Sequence, residues 1–267
     1  MEKLLETVSS SEEAWKRAVE IFGSEVKGAF ERVEKVLCVQ PHPDDVDVAA
    51  GGTIAKLTRK GVEVIYVTMT DGRLGSHDPS MDPEELARIR RSEQEEAAKL
   101  LGVKKVVWLG YKDGELKPTL DARRELVKLV REFKPDMVLA PDPWLTYEAH
   151  PDHRAAGIIA AEAVLYSSIP LAPPRNLRPH AVRYIAFYWT RKPNTFIDVT
   201  DYLDLKLKAI RAHKSQFSAA PFIEEVLKFF MRLAAIRAGI SGEAAYAEPF
   251  KVLTPFHLHC NVFAEDV

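Results

Sequence analysis

Two short stretches concentrate groups that bind metals and move protons. "PHPDDVD" (41–47) packs His42, Asp44, Asp45 and Asp47 directly behind the apolar run "KVLCVQ", and "HPDH" (150–153) repeats the His-Pro-Asp tripeptide far along the chain. His42 and Asp45 are three apart, close enough in a turn to offer an imidazole nitrogen and a carboxylate oxygen to one ion. His150, Asp152 and His153 stand where a helix is expected to begin. Two histidines and one carboxylate, with a position left open for water, form the ligand set of a catalytic zinc site, with ligand distances of ~2.0–2.2 Å. Pro43 and Pro151 fix φ beside these groups and limit the conformations lost on binding. The only cysteines, Cys38 and Cys260, are far apart, so neither a disulfide framework nor a cysteine-rich site is available. Each group alone has an ordinary role, since an aspartate before a helix commonly caps it. Asp47 reads as such a cap or a supporting residue. The recurrence of His-Pro-Asp in a chain with eight histidines favours the metal.

These loops need a scaffold that brings them together. Strands are expected over 35–40, 62–70, 104–110 and 136–141, each a continuous apolar run of the kind covered on both faces. Helices are expected over 47–60, 83–101, 120–133 and 151–166, the second with Pro83 in its first turn. This alternation predicts an α/β fold, a Rossmann-like, doubly wound, mainly parallel sheet with helices on both faces. Ligands of such sheets bind beyond the carboxyl ends of the strands. "PHPDDVD", "TDGRLGSHD" and "PDPWLTYEAHPDH" all fall there.

Strands near 182–188 and 195–199 and helices near 201–214 and 221–238 complete a single domain over 1–267. The apolar spacing of Trp15, Val19, Phe22, Val26 and Phe30 predicts a helix over 11–33, within an N-terminal extension (1–33) that covers one face of the core. The segment 248–267 is expected to be an edge strand or arm, because Pro255 interrupts its strand-like content.

"PHPDD" followed by "GGT", then "TDG", "YKDG" and "HPDH" in that order, resemble the LmbE-like (PIG-L) family of zinc-dependent N-deacetylases over roughly 35–215. The resemblance implies removal of acetyl from N-acetylglucosamine units, with one Zn2+ per chain held by His42, Asp45 and His153. It makes Asp44 the general base, consistent with adjacent carboxylates that cannot easily both face one ion. His150 becomes the group that stabilises the oxyanion or protonates the leaving amine, with Asp152 as its orienting partner. Arg90 in "IRRSE" and Asp113 in "YKDG" match positions used for sugar hydroxyls. Arg73 stands where many relatives have Glu, so no role carries over to it. The N-terminal helix, the length and the "PFHLH" tail look like members that act on short chitin fragments.

His257 and His259 alternate and would share one face of a strand. His259 is the candidate to reach an active site, its own or a neighbouring subunit's. Trp144, Tyr147 and Trp189 are candidates for an aromatic sugar platform. With 37 Lys and Arg against 39 Asp and Glu, the net charge of -2 supplies no field for nucleic acid or an anionic membrane. A small amino-sugar partner and a homo-oligomer are expected. The first twenty residues lack the features of a signal peptide, which predicts a cytoplasmic protein. The bias toward Glu, Lys and Arg over Asn and Gln is one seen in thermophile proteins. No G-x-G-x-x-G fingerprint opens the first turn, which argues against a dinucleotide. A metal-dependent phosphoesterase, a deacetylase of another N-acetylglucosaminyl conjugate, or a metal-stabilised interaction module stays open as an alternative.

Overall fold

The computed structural model describes residues 10–220, 222–242 and 244–267. β1 (Lys35–Gln40), β2 (Glu63–Thr70), β3 (Lys105–Tyr111), β4 (Met137–Pro141) and β5 (Tyr184–Tyr188) run parallel to one another. β6 (Thr195–Asp198) and β7 (Ala247–Leu253) complete an α/β sheet of order β3-β2-β1-β4-β5-β7-β6, with β7 antiparallel to both its neighbours. β4 and β5 are buried at every position, as strands sandwiched between helix layers must be.

The intervening helices are α2 (Asp45–Arg59), α3 (Pro83–Leu101), α4 (Leu120–Phe133) and α5 (Pro151–Ser167). α3 starts where its residues dictate: the Asp82 side chain accepts from the Glu85 N–H, and Pro83 needs no N–H in the first turn. The strand order reverses between β1 and β4, which opens a crevice beyond their carboxyl ends. The loop from β1 into α2 and the loop from β4 into α5 meet there.

Two expectations need correction. The N-terminal helix spans only Ser11–Gly23 (α1), followed by two 3-10 turns around Gly28, whose φ of 65 ends the helical path. α1 itself buries no residue; its Phe22 stacks on Phe256 and Phe263, whereas Val26, Ala29 and Phe30 from the turns enter the core. Residues 1–9 of the expected extension lie outside the described residues. The C-terminal strand is also not an edge. β7 ends before Pro255 and lies between β5 and β6, so β6 is the edge instead. Pro249 is tolerated within β7 because the ladder to β5 covers only Lys251–Leu253.

Candidate active site

β1 delivers the first motif into the crevice. His42 is 7% exposed, and three carboxylates converge on its ring: Asp45 Oδ2 lies 3.2 Å from Nδ1, while Asp113 Oδ1 and Asp152 Oδ2 lie 3.1 and 3.2 Å from Nε2. Burial opposes charging this imidazole, but the hydrogen bonds to Asp113, Asp152 and Asp45 outweigh it and push its pKa up to about 12. Asp45 is the first residue of α2, and its carboxylate also accepts from the His42 N–H at 2.7 Å. Burial works against its ionised form, yet His42 and His153 hold its pKa below the ordinary value.

β4 delivers the second motif at the start of α5. The rings of His42, His150 and His153 lie within 5.2 Å of one another, centroid to centroid, and Trp189 stacks on His153 at 5.0 Å. His153 faces Asp45 with Nε2 and Glu148 with Nδ1, the latter at 3.3 Å. Gly157 allows α5 to approach this closely. A Cβ there would stand 2.5 Å from the Pro141 carbonyl oxygen.

Asp44 sits beside the cluster in a strained backbone, at φ 110. Its N–H donates to Gln94 at 2.7 Å, and its carboxylate receives Arg90 Nη2 at 3.2 Å. Burial raises its pKa to about 6, against the opposing pull of Arg90. Arg90 also donates to the Gly72 and Pro43 carbonyls, and it runs so close beneath the loop after β2 that a Cβ on Gly72 or Gly75 would stand 2.6 or 2.4 Å from its guanidinium. Below lies a buried polar network in which Asp47 accepts from Tyr66 and Gln94 and pairs with His213, while Gln94 also accepts from Gln40.

Two groups of side chains could hold an ion: His42, Asp45 and His153, and His42, Asp113, His150 and Asp152, each with its ligand atoms within 4.8 Å of one another. The chemistry of the donors fits a divalent cation, because three carboxylates surround a single buried imidazole and oxygen and nitrogen ligands are both present. The groups share His42, which suits one ion better than two. The first of them is the triad expected from the sequence.

Comparison with known proteins decides which proteins share this arrangement. The family described as PIG-L, GlcNAc-PI de-N-acetylase, matches residues 37–164. A diacetylchitobiose deacetylase from Thermococcus kodakarensis is 38% identical over 265 residues, covering 98% of each chain. This chain belongs to the PIG-L family. A probable N-acetyl-alpha-D-glucosaminyl L-malate deacetylase 2 from Bacillus anthracis is 35% identical over 192 residues, 68% of this chain and 81% of that protein. The solved N,N'-diacetylchitobiose deacetylase from Pyrococcus horikoshii superposes with a TM-score of 0.88 at 42% identity, covering 98% of this chain and all of the other.

Within this PIG-L chain the remaining expected residues fall in distinct places. Asp113 is buried at the cluster, with Oδ2 accepting from Leu74 N–H. Asp152 is fully buried and held by the Gly114 and Leu116 N–H groups, but its carboxylate bonds His42 rather than His150. What Asp152 gives His150 is its backbone N–H, which donates to Nδ1 at 3.3 Å. That leaves the Nε2–H of a neutral His150 without a hydrogen-bond partner among the described residues, and burial with the nearby His42 and His153 keeps its pKa below the ordinary value. Asp47 supports the network and caps nothing.

Arg73 is bound to Asp71 and Glu84. Trp144 packs on Phe187 beside a cavity of about 530 Å³, Trp189 covers His153, and Tyr147 is 95% exposed, so these rings form no single platform. His257 and His259 part company because 255–258 is a 3-10 turn and not a strand. His257 is buried, its Nδ1 accepting from Thr254, while His259 is exposed beside Cys260 and belongs to neither candidate ligand group. The sequence reading missed Glu148, Gln94 and His213. Glu148 lies within a stretch already singled out, but Gln94 and His213 carry no motif and arrive from α3 and from the end of a later helix.

Proposed function

We propose that the chain is a zinc-dependent hydrolase that removes the acetyl group from N-acetylglucosamine units of short chitooligosaccharides, diacetylchitobiose foremost. The observation that carries this reading is the convergence of His42, Asp45 and His153, with Asp44 held beside them by Arg90, in a chain 38% identical over nearly its whole length to a diacetylchitobiose deacetylase.

His42, Asp45 and His153 would hold the ion. Bound zinc supplies a lowered pKa for water, to ~7, and polarisation of the acetyl carbonyl. Asp44 takes the proton of the attacking water and passes it toward the departing amine; burial makes this carboxylate more basic than an exposed one, which suits a base. Arg90 fixes that carboxylate by gripping both it and the Pro43 carbonyl. His150 offers Nε2–H to the oxygen on which negative charge develops, and the Asp152 N–H on Nδ1 sets that tautomer. Asp152 and Asp113 orient His42. The family resemblance puts Arg90 and Asp113 at the sugar hydroxyls, but both are buried and already bonded within the chain, so the part read for them here is to hold Asp44 and His42. His259, exposed on the C-terminal segment, would meet substrate only across a subunit boundary.

A phosphoesterase would need basic groups free to receive phosphate. Arg73 is committed to Asp71 and Glu84, and Arg90 to two carbonyls and Asp44, which leaves the cluster anionic. The deciding experiment measures acetate release from diacetylchitobiose, N-acetylglucosamine and longer oligomers, with added zinc and with chelator. Zinc-dependent release from the disaccharide supports the assignment. No release from any of them, or hydrolysis of a phosphoester instead, overturns it.

A further inference from the structure

His153 is held by two kinds of contact. Trp189 and His150 both stack on it, with centroids 5.0 and 4.8 Å away and planes tilted by only 19° and 21°. Stacking fixes the plane of the imidazole but not its sense, because turning the ring over by half a turn keeps the plane and exchanges nitrogen for carbon at each edge. It also leaves open which nitrogen carries the proton. Polar partners settle both. Nε2 faces Asp45 Oδ1 at 3.7 Å, and Nδ1 faces Glu148 Oε2 at 3.3 Å. A carboxylate on Nδ1 calls for a proton there, which leaves the Nε2 lone pair turned toward Asp45.

Glu148 is itself tied down. Its Oε1 accepts from the His150 N–H at 2.8 Å, so both carboxylate oxygens are committed to the start of α5. His42 repeats the pattern across the cluster, with Asp113 and Asp152 on Nε2 and Asp45 on Nδ1. The backbone before Glu148 is bent to put it there. Tyr147 has φ 72, a left-handed value that costs a residue with a Cβ, yet its side chain is 95% exposed. The phenol ring gains no packing from that strain. The residue that benefits is the next one, and strained backbone of this kind gathers at functional sites.

We infer that Glu148 is a positioning residue for metal binding, selecting the ring orientation and tautomer in which His153 presents Nε2 to the ion. The inference rests on the reading that His42, Asp45 and His153 hold that ion. A carboxylate on the remote nitrogen of a histidine ligand also strengthens the donor, and losing such a partner typically weakens metal binding ~10–100-fold.

Zinc dissociation constants, measured on the metal-free protein by competition with a chelating dye, test this without substrate. Glu148→Ala should raise the Kd by ~10–100-fold. Glu148→Gln keeps the length and one acceptor oxygen but no charge, and should fall between Ala and wild type. If Glu148 served only to anchor the start of α5, Glu148→Ala would lower the Tm of the metal-free protein and leave the zinc Kd unchanged, which overturns the proposal. Cobalt(II) in place of zinc separates positioning from ligation. At saturating cobalt the visible bands of both variants should match those of wild type, whereas bands showing a changed coordination number would make Glu148 a ligand and overturn its positioning role. Acetate release is read separately. A wild type that releases none overturns the deacetylase reading, while tighter zinc binding by wild type than by Glu148→Ala still supports this one. A wild type that takes up no zinc overturns both.

Discussion

Arg90 Nη2 reaches two oxygens of the motif loop at once, 2.7 Å from the Pro43 carbonyl and 3.2 Å from Asp44 Oδ2. Asp44 is the non-glycine residue of that loop with positive φ, so the same guanidinium that pairs with its carboxylate also braces the strained peptide before it.

The base and its brace should therefore separate in mutants. Asp44→Asn is expected to lower kcat by ~10²–10⁴-fold, the usual contribution of a positioned base, with metal content unchanged. Arg90→Ala is expected to lower kcat by ~10²-fold through misplacement of Asp44, and Arg90→Lys, which keeps charge but loses the fork, to fall between it and wild type. Steady-state kinetics with metal analysis of each variant checks this.

Removing the metal should cost stability as well as activity. Asp45, Asp113 and Asp152 crowd around His42, so chelator treatment is expected to lower Tm and abolish acetate release, and zinc to restore both. Ligand at a hundred times its Kd adds about 2.7 kcal/mol to folding. His153→Ala should hold less than one ion per chain by elemental analysis and show little zinc-dependent rise in Tm.

The His213–Asp47 pair gives stability its own pH dependence. Burial alone would lower the His213 pKa, but the hydrogen bond and charge of Asp47, with Asp44 and Glu93, raise it above the ordinary 6.5. The protonated form is thus favoured by folding. Its contribution is full below about pH 6.5 and is lost as pH rises through the raised folded-state value. His213→Gln leaves Asp47 without its charged partner and should cost ~3–5 kcal/mol at pH 6. Urea unfolding at pH 6 and pH 9 should show the advantage of wild type over this variant shrinking at the higher pH.

Gly157→Ala tests whether close approach of α5 to β4 sets the histidines. The added methyl meets the Pro141 carbonyl at 2.5 Å and the Pro143 ring at 2.8 Å. Overpacking of this kind costs typically 1–3 kcal/mol, so a lower Tm is expected together with reduced kcat, because His150 and His153 ride on the displaced end of the helix.

Much of this site could be read from residue order because its ligands are supplied by tripeptides at strand ends, where an α/β sheet places its ligands. The span 83–101 of α3 was legible to the residue, since Asp82 and Pro83 mark its start and Gly102, at φ 78, its end. Gln40, Gln94 and His213 were not, because a buried hydrogen-bond network has no spacing rule and its members come from β1, α3 and the end of α6 (Leu203–Ala212). The carboxylate of Asp152 finds its partner by the same tertiary route. Sequence proximity suggests His150, whereas folding brings His42 to the same carboxylate. The inner place of β7 is likewise a tertiary choice, invisible behind Pro255.

That placement bears on how the chain is made. β6 is synthesised about fifty residues before β7 and pairs with no other strand among the described residues, so 195–198 must wait as an unsatisfied segment until 247–253 leave the ribosome. At 5–20 residues per second this is an interval of seconds. The β1–β5 portion, with both motifs, can pair before then, so the catalytic crevice takes shape during translation and the far side of the sheet is closed last.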